Sequence, residues 1–270
     1  MTLGEDRGLA WQISVWDDMA DVYLRDIDHR FRPIIDHLLR HADLRPGQRV
    51  LDLGTGTRSV ALACAPRVTP DGHVIGVDIS PEMLALAGQR ASRAGLANVS
   101  FADGRAEAIP ADGSSQDAVL ASLSLMYVID RAAAAREIAR VLKPGGRLVA
   151  AVWAGPDRAD IVRLQQMAGS FAPKPPIDGV GPGAMADPSP FLAQLAEAGV
   201  DARVDSEITE FAFDDFASAW AVLAGVTAAR IAPERLEPAK AAVRAEMWPE
   251  GDGPRRFRNE TQFIIGMRGA

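Results

Sequence analysis

Val50-Leu51-Asp52-Leu53-Gly54-Thr55-Gly56-Thr57 is the stretch on which the fold turns. Its first four residues form a short apolar run suited to a strand buried on both faces, and Gly54 breaks that run. Glycines at 54 and 56 let the backbone bend tightly and let a ligand approach main-chain N–H groups with no Cβ in the way. A lone Gly-x-Gly is weak evidence. Here Asp78 follows 24 residues after Gly54, at the end of the next strand-like run, HVIGVD at 73–78. A carboxylate there can accept hydrogen bonds from both hydroxyls of a ribose.

Outward from this centre the pattern alternates. Ser80-Pro81-Glu82 reads as a helix start, with Ser as N-cap, Pro at the first helical position and Glu complementing the dipole. Further strands are expected at 98–103, 117–123 and 147–153, with a helix at 131–142 opened by Asp130 as N-cap. Strands alternating with helices imply a parallel sheet covered on both faces. Upstream, residues 11–41 carry apolar stripes at helical spacing, Trp16, Met19, Ala20 and Tyr23 forming one and Ile34, Ile35, Leu38 and Leu39 another, so two helices precede the first strand. After Trp153 the rhythm changes: a helix near 161–167, a Pro/Gly-rich passage, then a helix over 191–198 read as an insertion over the sheet edge. Strands at 203–212 and 262–268, with helices at 214–224 and 234–247, complete the sheet. The fold class is therefore α/β: a Rossmann-like, mostly parallel seven-stranded sheet with helices on both faces, an N-terminal helical lid and an insertion after the fifth strand. One domain over 1–270 is expected, with 1–45 the lid, 46–154 a cofactor-binding core, and 155–270 a substrate cap plus the last two strands.

Composition narrows the function. Of 270 residues, 36 are acidic and 29 basic, a net charge of -7, so no broad positive field exists to collect the phosphates of a nucleic acid. The N-terminus has acids where a signal peptide has a basic start, and no stretch approaches the roughly 18 apolar residues of a membrane span. A cytoplasmic protein without membrane or nucleic-acid partners is expected, and a homodimer is left open. Cys64 stands alone in VALACA, which rules out intrachain disulfides and thiolate-rich metal sites and reads as a small buried hydrophobe; no metal is expected.

Two ligands compete for the glycine turn. A nicotinamide or flavin dinucleotide needs a third glycine where Ser59 stands, and its pyrophosphate would meet Asp52. S-adenosylmethionine has no phosphate and carries a cationic sulfonium and an amino group, so an acid at Asp52 suits it electrostatically. The chain also contains GVDIS at 76–80, GRAEAIP at 104–110, SSQDAVLASLSLMYVID at 114–130 and LKPGGRLV at 142–149. Together with VLDLGTGT these resemble the class I S-adenosylmethionine-dependent methyltransferases, in particular the small-molecule branch that includes the ubiquinone/menaquinone biosynthesis enzymes. The resemblance implies S-adenosylmethionine as cofactor. It puts Asp52, Gly54, Thr55 and Gly56 at its methionine and ribose part, Asp78 at the ribose hydroxyls, Ile79 and Met83 near the adenine, and Gly104, Arg105, Ala106 and Ser122 in the same site. It also suggests Tyr23, on the lid, for the cofactor's carboxylate, with core packing as the alternative. Two departures stand out: Arg58 occupies a position that is usually glycine, where it crowds the helix start unless its stem turns outward, and Arg105 replaces the acid of a usual Gly-Asp-Ala.

The resemblance implies methyl transfer to a small-molecule oxygen, nitrogen or carbon nucleophile by in-line displacement, which chiefly requires alignment and exclusion of water. A general base is needed only if the acceptor must lose a proton. No catalytic residue follows from the fold. His29 in the lid and Tyr127 after the fourth strand are weak candidates, with surface or packing roles as the plainer reading. Asp117 and Asp130 read as structural. Trp153, Phe171, Phe213 and Trp220 could enclose an acceptor but read more simply as core. Two other functions remain open: a protein that uses the cofactor for another reaction such as a cyclisation, and a nicotinamide-dependent oxidoreductase.

Overall fold

A computed structural model describes residues 3–270. Its centre is one sheet of β1 (Arg49–Leu53), β2 (His73–Asp78), β3 (Val99–Asp103), β4 (Gln116–Ser122), β5 (Leu142–Trp153), β6 (Val200–Phe213) and β7 (Arg255–Arg268). The strand order is β3-β2-β1-β4-β5-β7-β6, with β1 to β5 parallel and β7 antiparallel to both neighbours. The order reverses at β1 and β4, the crevice where open α/β sheets receive ligands at the carboxyl ends of their strands. Val50, Leu51, Val119, Leu120, Leu148 and Val149 are fully buried, as expected of strands covered on both faces.

Helices α3 (Ser59–Val68), α4 (Pro81–Arg93) and α5 (Arg131–Val141) form the crossovers. The expected caps are present: the Ser80 hydroxyl accepts from Met83 N at 3.1 Å, and the Asp130 carboxylate accepts from Ala133 N at 2.9 Å. Asp117 is structural as read, accepting from Arg49 N at 2.8 Å and from Lys143 Nζ at 2.7 Å, so that it ties β4 to β1 and to the start of β5. Cys64 is fully buried, and burial pushes its thiol up, away from reactivity.

The N-terminal region starts earlier than its apolar stripes indicate. Helix α1 (Leu3–Val22) passes through a wide turn at Tyr23–Ile27 and a tight one at Asp28–Phe31 into α2 (Arg32–Ala42). Helix α1 is fastened across the carboxyl edge of the sheet by its own polar side chains. Asp17 accepts from the Ser80 hydroxyl at 2.5 Å and from Glu82 N at 3.3 Å, and Gln12 donates to Tyr127 O at 2.8 Å.

Beyond β5, α6 (Asp160–Gly169) packs with α8 (Phe216–Leu223), α9 (Gly225–Ala228) and α10 (Pro233–Met247) into a second helical layer, and α9 touches α1. Helix α7 (Ser189–Glu197) instead returns to the sheet beside α5 and β6. Residues 155–200 thus contribute one helix to that second layer and one beside α5. The last two strands are longer than expected and pair over the full length of β6, from Val200 with Arg268 to Phe213 with Arg255. Their outer halves extend as a two-stranded ribbon, with Phe211, Phe213 and Phe257 buried on one side.

Candidate functional site

At the end of β1 three residues take left-handed backbone: Gly54 (φ +74°), Gly56 (φ +51°) and Arg58 (φ +76°). A Cβ on Gly54 would lie 2.3 Å from Cβ of Ser124, whose hydroxyl donates to Leu53 O at 2.7 Å. The loop after β4 therefore closes directly against the turn. A Cβ on Gly56 would meet nothing within 4 Å. Gly56 borders a cleft.

Four main-chain donors of the turn are taken up inside the protein. Gly54 N and Thr55 N donate to Val77 O at 2.8 and 2.9 Å, Gly56 N donates to Asp78 Oδ2 at 2.8 Å, and Arg58 N donates to Thr55 O at 2.8 Å. The expected row of open N–H groups is thus corrected: the glycines supply room and shape, and these donors hold the turn together. Asp78 also accepts from Ser80 N at 3.0 Å through Oδ1. Its carboxylate is fixed in orientation at the carboxyl end of β2, and burial raises its pKa against the opposing pull of these hydrogen bonds.

Turn and carboxylate border a cleft at the carboxyl edge of the sheet. Tyr23, Gly54, Gly56, Asp78, Ile79, Met83, Gly104, Arg105, Ala106 and Ser122 all line it. Helix α1 adds Leu9, Gln12 and Trp16, and the segment after β4 adds Ser124, Leu125, Tyr127, Val128 and Ile129. Trp16 stands edge-on between Tyr127 and Tyr23, with ring centroids 4.9 and 6.4 Å away. Glu107 accepts from Ile129 N at 3.1 Å and Asp130 N at 3.3 Å, holding that segment against the loop after β3.

The family described as "Methyltransferase domain" matches residues 44–167, which is β1 to β5 with the turn and Asp78. The core of this chain, residues 44–167, matches a methyltransferase domain. Nocamycin O-methyltransferase of Saccharothrix syringae is 35% identical over 186 residues, covering 68% of this chain and 64% of that protein. Demethylmenaquinone methyltransferase of Geobacillus kaustophilus is 36% identical over 114 residues, 42% of this chain and 49% of that one. The chain thus spans between about half and two thirds of the length of these relatives. The crystal structure of YcgJ protein from Bacillus subtilis shares the fold, with a TM-score of 0.64 at 21% identity, covering 87% of this chain and 98% of that one.

Two residues of the expected cofactor set lie outside the cleft of the methyltransferase domain. Asp52 is 1% exposed behind the turn, where Oδ2 accepts from Thr55 Oγ1 at 2.7 Å and Ala61 N at 3.0 Å. The N-cap of α3 is Arg58, whose side chain makes no cap bond, so Asp52 supplies the acceptor that the helix start lacks. Thr55 is buried with it. Burial pushes the Asp52 carboxyl up to about 7, against the hydrogen bonds from Thr55 and Ala61. The electrostatic argument for Asp52 beside a sulfonium therefore meets a group withdrawn from the cleft. A folded-state pKa above the ordinary 3.8 means that Asp52 favours folding below about pH 4 and that this contribution is lost as pH rises towards 7. Asp52→Asn keeps an acceptor and removes the charge. Urea unfolding at pH 5 and pH 8 should show the wild type losing a few kcal/mol more than the variant over that interval; parallel losses would refute this account of Asp52.

Arg58 also departs from expectation. Its side chain turns inward, 2% exposed, beside Arg90 and Asp28, and neither Nε nor Nη1 has a partner. Burial, then Arg90, lowers the guanidinium to about 10. It does not line the cleft.

Of the weak catalytic candidates, Tyr127 lines the cleft and His29 is exposed away from it. Burial pushes both Tyr127 and Tyr23 further up, so their phenols stay protonated and act as donors. No histidine lines the cleft. Trp153, Phe213 and Trp220 are core residues, and Phe171 lies half-buried outside the cleft. Leu9, Gln12, Glu107 and Ser124 were not legible as site residues, since each depends on how α1 and two loops meet in space.

Proposed function

We propose that this chain transfers the methyl group of S-adenosylmethionine to a small organic acceptor bound under α1. The observation that carries the reading is the Asp78 carboxylate, fixed by Gly56 N and Ser80 N, beside the open space over Gly56. These features fit the cofactor: the lone pairs left on Asp78 suit the two ribose hydroxyls, Ile79 and Met83 offer an apolar face to the base, and the hollow over Gly56 accommodates the amino-acid part. When bound, the cofactor supplies a methyl group on a cationic sulfur.

The chain's own contribution is then alignment and dryness. Helix α1 covers the cleft, and Trp16 with Tyr23 and Tyr127 walls it with aromatic surface carrying two hydroxyl donors. The cleft's carboxylates Asp78 and Glu107 accept main-chain hydrogen bonds, and the reading assigns no residue as a base. It fits an acceptor whose oxygen, nitrogen or carbon is nucleophilic once its proton has passed to solvent. The names of the relatives, an O-methyltransferase and a demethylmenaquinone methyltransferase, support a small-molecule acceptor. The excess of acids argues against nucleic acid. Among the described residues no helix is long and apolar enough to cross a membrane.

Isothermal titration of the purified chain should show one equivalent of S-adenosylmethionine or S-adenosylhomocysteine bound and no heat with NADH. Binding of NADH with neither sulfur nucleoside bound would overturn the proposal in favour of an oxidoreductase.

A further inference from the structure

Away from the cleft, α2 and the edge strand β6 bring together groups that the methyl-transfer reading does not use. His37 and His41, one turn apart on α2, face each other with 2.9 Å between their Nε2 atoms. Asp205 Oδ2 lies 3.6 Å from His41 Nε2. One ligand atom from each of these three residues lies within 4.8 Å of the other two. In a tetrahedral site with metal–nitrogen distances of about 2.0–2.1 Å, ligand atoms sit roughly 3.3 Å apart, so a modest turn of the half-exposed Asp205 side chain completes three corners.

We propose that His37, His41 and Asp205 form a binding site for a divalent metal of the zinc type, which ties α2 to β6, with water as the fourth ligand. Two imidazoles and one carboxylate make a donor set suited to zinc rather than to calcium or magnesium. A second feature points the same way. Glu207, two residues along β6, has Oε1 3.5 Å from His37 Nδ1, the position of a carboxylate that accepts the other ring N–H of a metal-ligating histidine and orients Nε2. His37 is only 8% exposed and lies against the Phe263 ring, centroids 4.3 Å apart, so its ring is held in place.

Three cations face the cluster. Arg40 on α2 contacts His37 Nδ1 and must yield that atom to Glu207, which its exposed side chain has room to do. Arg147 on β5 donates to His41 O at 2.8 Å, and Arg203 lies on β6. Asp205 and Glu207 oppose them.

Titration of the full chain with Co²⁺, followed by its visible ligand-field bands, should show one equivalent bound in a four-coordinate site, and Zn²⁺ should displace it. His41→Gln and Asp205→Asn should each weaken binding by more than the roughly 10- to 100-fold expected for an orienting group, and Glu207→Gln by about that amount. Zn²⁺ should raise the Tm of the wild type and not that of Asp205→Asn. Circular dichroism and S-adenosylhomocysteine titration establish that each variant is folded. Absence of bound Co²⁺ in the folded wild type, or unchanged affinity in folded His41→Gln and Asp205→Asn, would overturn the site.

Discussion

Asp78→Ala is expected to weaken binding of S-adenosylhomocysteine by about 100-fold or more. Hydrogen bonds to a charged acceptor each contribute about 1.5–3 kcal/mol, and two ribose hydroxyls would lose theirs together. The same change leaves Gly56 N and Ser80 N without the oxygens that accept from them, so the turn loosens as well. Asp78→Asn, which keeps one oxygen, should fall between wild type and alanine. Because burial raises the Asp78 carboxyl above its ordinary value, affinity should begin to fall on acidification at a higher pH than an exposed carboxylate would give, and that dependence should vanish in Asp78→Asn. Isothermal titration measures both effects; wild-type affinity in a folded Asp78→Ala protein would remove the residue from the site.

Gly54→Ala should act first on the fold. Its φ of +74° costs a non-glycine residue about 1–2 kcal/mol. The new Cβ would lie 2.3 Å from Cβ of Ser124, and overpacking of this kind costs typically 1–3 kcal/mol. A loss of about 2–5 kcal/mol in urea unfolding is therefore expected, with loss of the cleft wall at Ser124. Gly56→Ala separates the two roles of the turn. Its φ of +51° carries a smaller conformational cost and its Cβ meets no protein atom, so it should spare most of the stability and obstruct the ligand. Equal stability losses in the two variants would show that the contact with Ser124 is not what makes Gly54 necessary.

These contrasts show how much of the molecule was legible in the sequence. The apolar run Val50–Leu53, the Ser80-Pro81 helix start and the Asp130 cap are local signals, and local physics realises them where it places them. That the sheet is mostly parallel and seven-stranded followed from strand–helix alternation and the resemblance to methyltransferases. Asp52 was misread because its charge is conspicuous in sequence, whereas its burial depends on α3 folding over it and drawing its oxygen to Ala61 N. The stem of Arg58 could have reached water; here it turns inward at the head of α3, near the Arg90–Asp28 pair. The outer half of β7, residues 255–261, escaped notice because its charged residues hide the alternation that buries Phe257. Gln12 and Trp16 belong to the cleft only because Asp17 and Gln12 fasten α1 across the sheet edge, a contact between residues more than 60 positions apart.

A crystal structure of the chain with S-adenosylhomocysteine tests the central claim most directly. The account predicts both ribose hydroxyls within hydrogen-bonding distance of the Asp78 carboxylate, with the amino-acid part over Gly56 and the sulfur facing the space beneath Trp16. A nucleoside bound with its sugar away from Asp78, or a cleft closed over Gly56, would contradict it.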